Sequence, residues 1–512
     1  MKPFGKIVRD ILFTSSGTFL SLILAIAKNA LIAARFGTGA VYDAFMIASN
    51  IPQIITGFSI TGAHNLVPII TKELKLKSEK DAWDTINRVL GFWILIVLIA
   101  TTGSFLIIQF MIHILAPGFS KPELALSNHF ASILIWSSIF SAFSSLAIIL
   151  SNSYQDFTLS AFVGLINNTV IFLIILFCAS NKHEDVLPWA ILIGSIAQLL
   201  IQYRMMGKMR LFFRFRFRFN DPLFKKIIKL AIPQYIGHSG ATLGIAVDRA
   251  FASMLSTGSV AAISYALTIY EMPITIFVIA VNRIYYPIFS RNEDDPELFA
   301  KHIRQAIHFV SFIVFPLSAY ILVMGHPLTQ ILFQRGNFSE YSTAVTASVL
   351  FFFSMGMAVE GFNSLYLSIF NSKQDTFAPM AAGLGRVFIQ TAGNFLLVPR
   401  LGIIGIALST SIALYIKVIF FMVLAEKRLK LKILHIFDLE LMKIFLSSLA
   451  VGGVLVGPFF YYNHFTHPSF FQAFSVLTIS CVLTILVYFI SLSTLRSSSI
   501  LFLKTWGTKI RD

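Results

Sequence analysis

Fourteen apolar stretches, each long enough to cross a bilayer, follow one another along this 512-residue chain and leave it essentially one kind of fold. A helix needs roughly 20 predominantly apolar residues to span about 30 Å of hydrocarbon. In lipid the backbone must satisfy its own polar groups, so consecutive stretches of this kind fold as a helical bundle. They lie near 11–35, 41–71, 89–115, 124–150, 158–180, 187–207, 228–255, 258–289, 302–325, 341–370, 377–398, 402–425, 440–462 and 469–495. Turn-forming or polar clusters separate them, among them Phe36-Gly37-Thr38-Gly39, Ala116-Pro117-Gly118-Phe119 and Asn220-Asp221-Pro222. The fold class is therefore an all-α polytopic membrane protein with fourteen transmembrane helices. Composition agrees: 56% of residues are hydrophobic and only 12% charged, against about 25% charged in soluble domains, and mean hydropathy is +0.78. A soluble enzyme, a disordered chain and a secreted disulfide scaffold are excluded. The two cysteines, Cys178 and Cys481, offer neither a disulfide framework nor a cysteine metal site.

The net charge of +16 is explained by topology. With the N-terminus in the cytoplasm, and charges within three residues of a span end counted with the adjoining loop, the cytoplasmic segments carry 30 Lys and Arg, the outer loops 5 and the span interiors 5. That asymmetry is the positive-inside pattern, and it places both termini in the cytoplasm. Arg214, Arg216 and Arg218 then read as a basic loop facing anionic lipid headgroups, and no nucleic-acid partner is expected. Lys2, Lys6 and Arg9 before an apolar run ending in Ala25-Ile26-Ala27 have the outline of a cleavable leader. The polar interruption from Thr14 to Thr18 favours a first span instead.

The chain repeats itself. Asn152-Ser153-Tyr154-Gln155-Asp156 matches Asn371-Ser372-Lys373-Gln374-Asp375, and Thr38-Gly39-Ala40-Val41 matches Thr257-Gly258-Ser259-Val260. Pro68-Ile69-Ile70 matches Pro287-Ile288-Phe289, and all three pairs sit 219 residues apart. The repeat unit is six helices. An even number keeps both copies parallel, as in transporters that work by alternating access. The expected organisation is a six-helix lobe at 1–219, a second at 220–432, and two further helices with a cytoplasmic tail at 433–512, with a hydrated cavity between the lobes.

Polar residues inside spans are expensive and mark function by default. Thr14, Thr18, Ser21, Ala25 and Lys28 share one face of helix 1, and Asp43, Asn50, Gln53, Gly57, Thr61 and His64 one face of helix 2. Helix 7 carries His238, Ser239, Thr242, Asp248 and Arg249, and helix 8 a stripe of Ser264, Thr268, Glu271, Thr275 and Asn282. Lys28, Asp43, Asn50, Arg249, Thr268, Glu271 and Arg283 are the expected substrate-cavity residues. The competing reading is that such side chains join helices to one another. Asp248, Gln390, Asn394 and Thr410 supply oxygens suited to a cation, so sodium or proton coupling is an expectation. Glu360, Arg386 and Lys417 stand singly on helices 10, 11 and 12, and Lys417 is expected to snorkel toward the cytoplasm. There is no P-loop, HExxH, CxxC or nucleophile elbow, so neither an enzyme nor a resident cofactor is expected.

The string Ala33-Ala34-Arg35-Phe36-Gly37-Thr38-Gly39, followed by Asp43-Ala44-Phe45, Pro52, Gly62-Ala63 and Val67-Pro68, resembles the lipid II flippase family (MurJ, or MviN) of the multidrug/oligosaccharidyl-lipid/polysaccharide exporter superfamily. Further matches are Ala116-Pro117-Gly118-Phe119, Val247-Asp248-Arg249, Glu271-Met272-Pro273, and Leu332-Phe333-Gln334-Arg335-Gly336-Asn337-Phe338. The resemblance covers about 20–410 and implies a transporter of the bacterial inner membrane, acting as a monomer on a lipid-linked sugar among membrane lipids. It implies that lipid II crosses for peptidoglycan synthesis, with the polyprenyl tail along a groove by helices 13 and 14. Another lipid-linked oligosaccharide and a cation-coupled multidrug export are the alternatives. The sequence departs from the family where arginines are expected to grip the pyrophosphate: those places hold Leu22, Thr56 and Thr268, and Lys28 replaces a further arginine.

Overall fold

The computed structural model describes residues 4–76, 79–154, 158–179, 184–206, 235, 240–292, 295–373, 375, 377–429, 438–465 and 468–498. Their regular elements are helices: α1 (Phe4–Phe36), α2 (Ala40–Leu76), α3 (Glu79–Leu106), α4 (Ile108–Leu115), α5 (Lys121–Leu134), α6 (Ser137–Ser153), α7 (Thr158–Cys178), α8 (Val186–Met205), α9 (240–253), α10 (Ser259–Pro273), α11 (Ile279–Arg291), α12 (Pro296–Phe333), α13 (Glu340–Ser372), α14 (Phe377–Leu401), α15 (Ile403–Leu429), α16 (Leu439–Asn463) and α17 (Phe470–Thr494). Among the described residues, eleven helical segments are long and apolar enough to cross a membrane. With α2, α7 and α9 they account in order for the fourteen expected spans. Lys182, the Arg214–Arg218 run, Lys430 and the predicted boundaries at 219/220 and 432/433 lie outside the described residues.

Three spans expected as single helices are interrupted. Ile107 leaves helical geometry between α3 and α4, and a turn at 135–136 separates α5 from α6. The third break is a π-helical turn at Ile274–Val278, directly after Pro273. Proline lacks the N–H that would close the preceding turn, and an extra residue accommodates the missing bond. One added residue rotates everything downstream by about 100°. The helix 8 stripe is thus not one continuous face: Asn282 leaves the line of Ser264, Thr268, Glu271 and Thr275.

The repeat survives into the helix ends. α10 begins 219 residues after α2 (259 − 40), and α13 ends 219 residues after α6 (372 − 153).

The chain packs as two compact units, Met1–Val260 with Arg335–Phe338, and Ala261–Gln334 with Ser339–Asp512. In the first unit α1 lies along α7, and α2 along α3, α5 and α6. Trp83, Ile86, Leu90, Trp93, Leu146 and Leu150 fill one core there. The start of α5 is fixed by Glu123, whose carboxylate accepts the Ser120 N–H (2.9 Å) and hydroxyl (2.7 Å).

In the second unit α12 pairs with α13, α14 with α15, and α16 and α17 pack together on α12. Met324, Ile444, Leu455, Val476 and Leu492 form the α12–α16–α17 core. Polar ties fix that arrangement: Tyr488 donates to the Phe312 carbonyl (2.8 Å), Gln330 to the Pro468 carbonyl (2.8 Å) and Tyr462 to Gln330 (2.7 Å). Asp438 caps α16 by accepting the Leu441 N–H (3.0 Å), and the same Oδ1 lies 2.9 Å from His308 Nε2 on α12.

Candidate functional site

In the first unit, α2 is joined at three levels, in reverse chain order, to Tyr235 and the segment 240–258. The Tyr235 hydroxyl donates to the Ile54 carbonyl (2.9 Å). One level along, Arg249 Nη1 donates to Asn50 Oδ1 (2.6 Å) and to the Met46 carbonyl (3.1 Å). At the far end the Gly258 N–H donates to Asp43 Oδ2 (2.5 Å). Asp43, Asn50 and Arg249 are 1%, 2% and 7% exposed. Three residues expected at a cavity wall are therefore a buried network holding α2 to the segment that enters α10. Asp248 is buried beside them. The side chains of Thr61, His64, His238 and Ser239 lie outside the described residues.

Two further contacts close the same end of this unit. Gly118 sits against the backbone of Ser253 and Met254, and its N–H donates to the Ser253 hydroxyl (3.3 Å). The strip Arg335–Phe338, between α12 and α13, clasps the end of α1. Its Asn337 donates from the backbone to the Ala34 carbonyl (2.9 Å) and from the side chain to the Arg35 carbonyl (2.6 Å). Gly37 and Gly336 take φ of +57° and +58°, a region that strongly favours glycine. A Cβ on Gly37 would strike the Asn337 carbonyl, and one on Gly336 the Ala34 carbonyl.

Lys28 keeps the helix 1 face that its spacing predicts, and that face meets α7. Its ammonium donates to Asn168 Oδ1 (2.9 Å), and the Asn168 amide lies 3.4 Å from the Ser21 carbonyl and hydroxyl. Asn168 was not among the expected site residues. The pair Asn167-Asn168, midway through an otherwise apolar run, was the available signal. Leu22 and Thr56, two of the places where the resemblance leads one to expect arginine, are half-buried.

In the second unit Thr268 is half-buried, and its hydroxyl bonds only to the Ser264 carbonyl of its own helix among the contacts described (3.0 Å). Glu271 and Arg283 are exposed. Asn282, turned by the π-helical step, donates to Ser364 (2.5 Å) and accepts from Ser368 (3.1 Å) on α13. Gln390 and Thr410 are brought together, amide to hydroxyl at 3.0 Å, and Asn394 is fully buried on the same helix as Gln390.

The expectation of three isolated charges is overturned. Glu360, Arg386 and Lys417 lie on the mutually packed helices α13, α14 and α15, and their side chains interact electrostatically. Lys417 does not snorkel: it is 7% exposed, with its ammonium 5.6 Å from the Phe421 ring centroid. It sits twelve residues, about 18 Å, from the end of α15, beyond the reach of its side chain.

The second unit also contains an apolar cleft of about 500 Å³ among α12, α13, α15 and α16, lined by Phe315, Leu322, Phe362, Leu408 and Phe445.

A family model described as lipid II flippase MurJ matches residues 32–493. The probable lipid II flippase MurJ of Buchnera aphidicola subsp. Acyrthosiphon pisum is 28% identical over 459 residues, 88% of this chain and 89% of the relative. The lipid II flippase MurJ of Burkholderia cenocepacia is 25% identical over 425 residues, 80% of this chain and 81% of the relative. Among solved structures, a lipid II flippase MurJ in an inward closed conformation superposes with a TM-score of 0.77 at 23% identity, covering 97% of this chain and 99% of the other. An inward-facing multidrug resistance transporter of the MATE family gives 0.66 at 13% identity, covering 82% and 98%.

Proposed function

The chain belongs to the lipid II flippase MurJ family, and from that premise we propose that it carries lipid II, the polyprenyl-linked precursor of peptidoglycan, across the bacterial inner membrane. The match along 32–493 carries this reading, because it runs from the end of α1 through the rest of both repeats and takes in α16 with α17. Transport is a conformational cycle without bond chemistry, so the protein is a transporter rather than a catalyst. Its termini face the cytoplasm and it acts as a monomer.

The polar contacts of the first unit supply the closing part of that cycle. The C-terminal end of α1, the start of α2, the 253–258 turn, Gly118 and Arg335–Phe338 converge on one end of the unit. With a cytoplasmic N-terminus that end faces outward. A substrate released outward needs those contacts opened, and each is a hydrogen bond or a helix-end contact that can re-form. In the first unit Lys28 is the cation offered to the pyrophosphate, and in the second the apolar cleft by α16 suits the polyprenyl tail. Within the second unit, Gln390, Asn394 and Thr410 remain candidate partners for sodium as a coupling ion.

Leu22, Thr56 and Thr268 favour a second reading, in which the headgroup differs from that of lipid II. Lysine and a displaced arginine do not reproduce a bidentate guanidinium grip on phosphate. Two assays test the first reading together: rescue of cells depleted of their lipid II flippase, and translocation of fluorescent lipid II in proteoliposomes. Absence of both, with the protein verified in the membrane, would leave the second reading.

A further inference from the structure

The Glu360–Arg386–Lys417 cluster has no part in the transport cycle described above. All three side chains lie at one depth. Glu360 is twelve residues from the end of α13, Lys417 twelve from the end of α15, and Arg386 nine from the start of α14. In successive antiparallel spans those termini are on the same side. The charges therefore sit about 14–18 Å into the bundle, at the middle of a hydrocarbon layer about 30 Å thick.

The inventory of charges at this level identifies the group that can change state. Arg386 does not deprotonate in proteins. Glu360 is a carboxylate held by the Asn363 amide at 2.8 Å, and it balances one cation. Lys417 is then the surplus charge. It is buried against Phe421, and the charges that reach it are those of Arg386 and Glu360. The other titratable groups nearby are Tyr270 and Glu271 on α10, Tyr366 on α13 and Tyr415 on α15. Tyr270 interacts with Glu360, Arg386, Glu271 and Tyr415, and Tyr366 stacks on Phe421.

We propose that Lys417 is a proton-exchange site at mid-membrane, set between the fixed charges of Glu360 and Arg386, and that the proton it takes up and gives back drives the conformational cycle. Loading transfers one proton from water to the Nζ lone pair and raises the charge of the cluster from zero to +1. Release returns the proton to water and restores zero. A small inorganic anion could also compensate a surplus cation, but it needs room beside the ammonium, and Lys417 is packed against a ring. A proton needs no room. A charge gained at mid-membrane also senses the transmembrane potential, as intramembrane ionisable groups do.

Exchange at Lys417 does not depend on the lipid II reading; its coupling to transport does. The test uses the full chain in proteoliposomes on a solid-supported membrane, without substrate. A pH jump should give a transient current in the unmodified protein. Lys417→Met should abolish it, and Lys417→Arg, which keeps the charge but cannot release the proton, should abolish it as well. Glu360→Gln should confine the current to more acidic pH. A current of normal size in well-folded Lys417→Met, or one produced by sodium or chloride jumps and not by pH, overturns the proposal. In the same liposomes, an imposed pH gradient should accelerate translocation of fluorescent lipid II by the unmodified protein and not by Lys417→Arg. A proton current without any lipid II movement would refute the substrate reading while leaving the site intact. Lipid II movement indifferent to both the gradient and Lys417→Arg would refute the coupling.

Discussion

Asp43 Oδ2 accepts the backbone N–H of Gly258 at 2.5 Å, across 215 residues of sequence. It thereby joins the start of α2 to the turn that begins α10, two places that the internal repeat makes equivalent. Removing one partner of a buried, charge-assisted hydrogen bond costs about 1.5–3 kcal/mol. Asp43→Ala should therefore lower the thermal unfolding midpoint of the purified protein as well as its transport. Asp43→Asn, which keeps an acceptor, should lose less. Unchanged melting in Asp43→Ala would return the residue to a purely substrate-facing role.

Gly37→Ala and Gly336→Ala should each loosen the clasp between α1 and the Arg335–Phe338 strip. A non-glycine residue at positive φ costs about 1–3 kcal/mol before any collision is counted, and here each new Cβ also meets a carbonyl oxygen. Faster reaction of a cysteine placed at Arg335 with a membrane-impermeant maleimide would report the opening. An unaltered rate in both variants would mean that the strip is held by something else.

Arg249→Lys should behave more like Arg249→Ala than like the unmodified protein. The guanidinium reaches Asn50 Oδ1 and the Met46 carbonyl through Nη1 and the Met46 sulfur through Nη2, a spread that a compact ammonium does not reproduce from one point. Each lost bond to a charged group is worth about 1.5–3 kcal/mol. Protein yield and lipid II translocation should fall together in both variants. Normal transport by Arg249→Lys would show that positive charge alone suffices.

The orientation is checked in a background lacking Cys178 and Cys481, both of which are exposed. Cysteines at Arg400 and His464 should react with an impermeant reagent in intact cells, and those at Lys373 and Arg428 only after permeabilisation. Labelling of position 428 from outside would invert the assigned topology.

Thr268→Arg should improve rescue of flippase-depleted cells. Its hydroxyl bond is to its own helix, so little is lost on substitution, while a charge-assisted contact to phosphate gains about 1.5–3 kcal/mol, roughly tenfold or more in affinity. Reduced rescue would indicate a headgroup for which threonine is the better partner.

The spans were legible because a bilayer imposes its thickness on the sequence, and the repeat because its strings fall at helix ends. Within the spans, spacing placed Ser21 and Lys28 on one face correctly but gave no sign that the face meets Asn168. The breaks at Ile107 and at 135–136 carry no glycine or proline, so no local signal announced them. Pro273 did announce a distortion, although its form, an added residue, depends on how the backbone recovers its hydrogen bonds. Glu360, Arg386 and Lys417 looked solitary because each is alone on its helix. Their association arises from the packing of three helices at one depth, which one-dimensional spacing does not encode.

The π-helical turn at Ile274–Val278 has a mechanical consequence. The surplus residue sits directly after Pro273, whose missing donor fixes its place, and every side chain beyond it is turned by the angle of one residue. Asn282 and its hold on Ser364 and Ser368 lie just downstream. That offset is what delivers the Asn282 amide to α13, so the eighth span works like a set screw: one half of the helix is locked at a rotation the other half does not share.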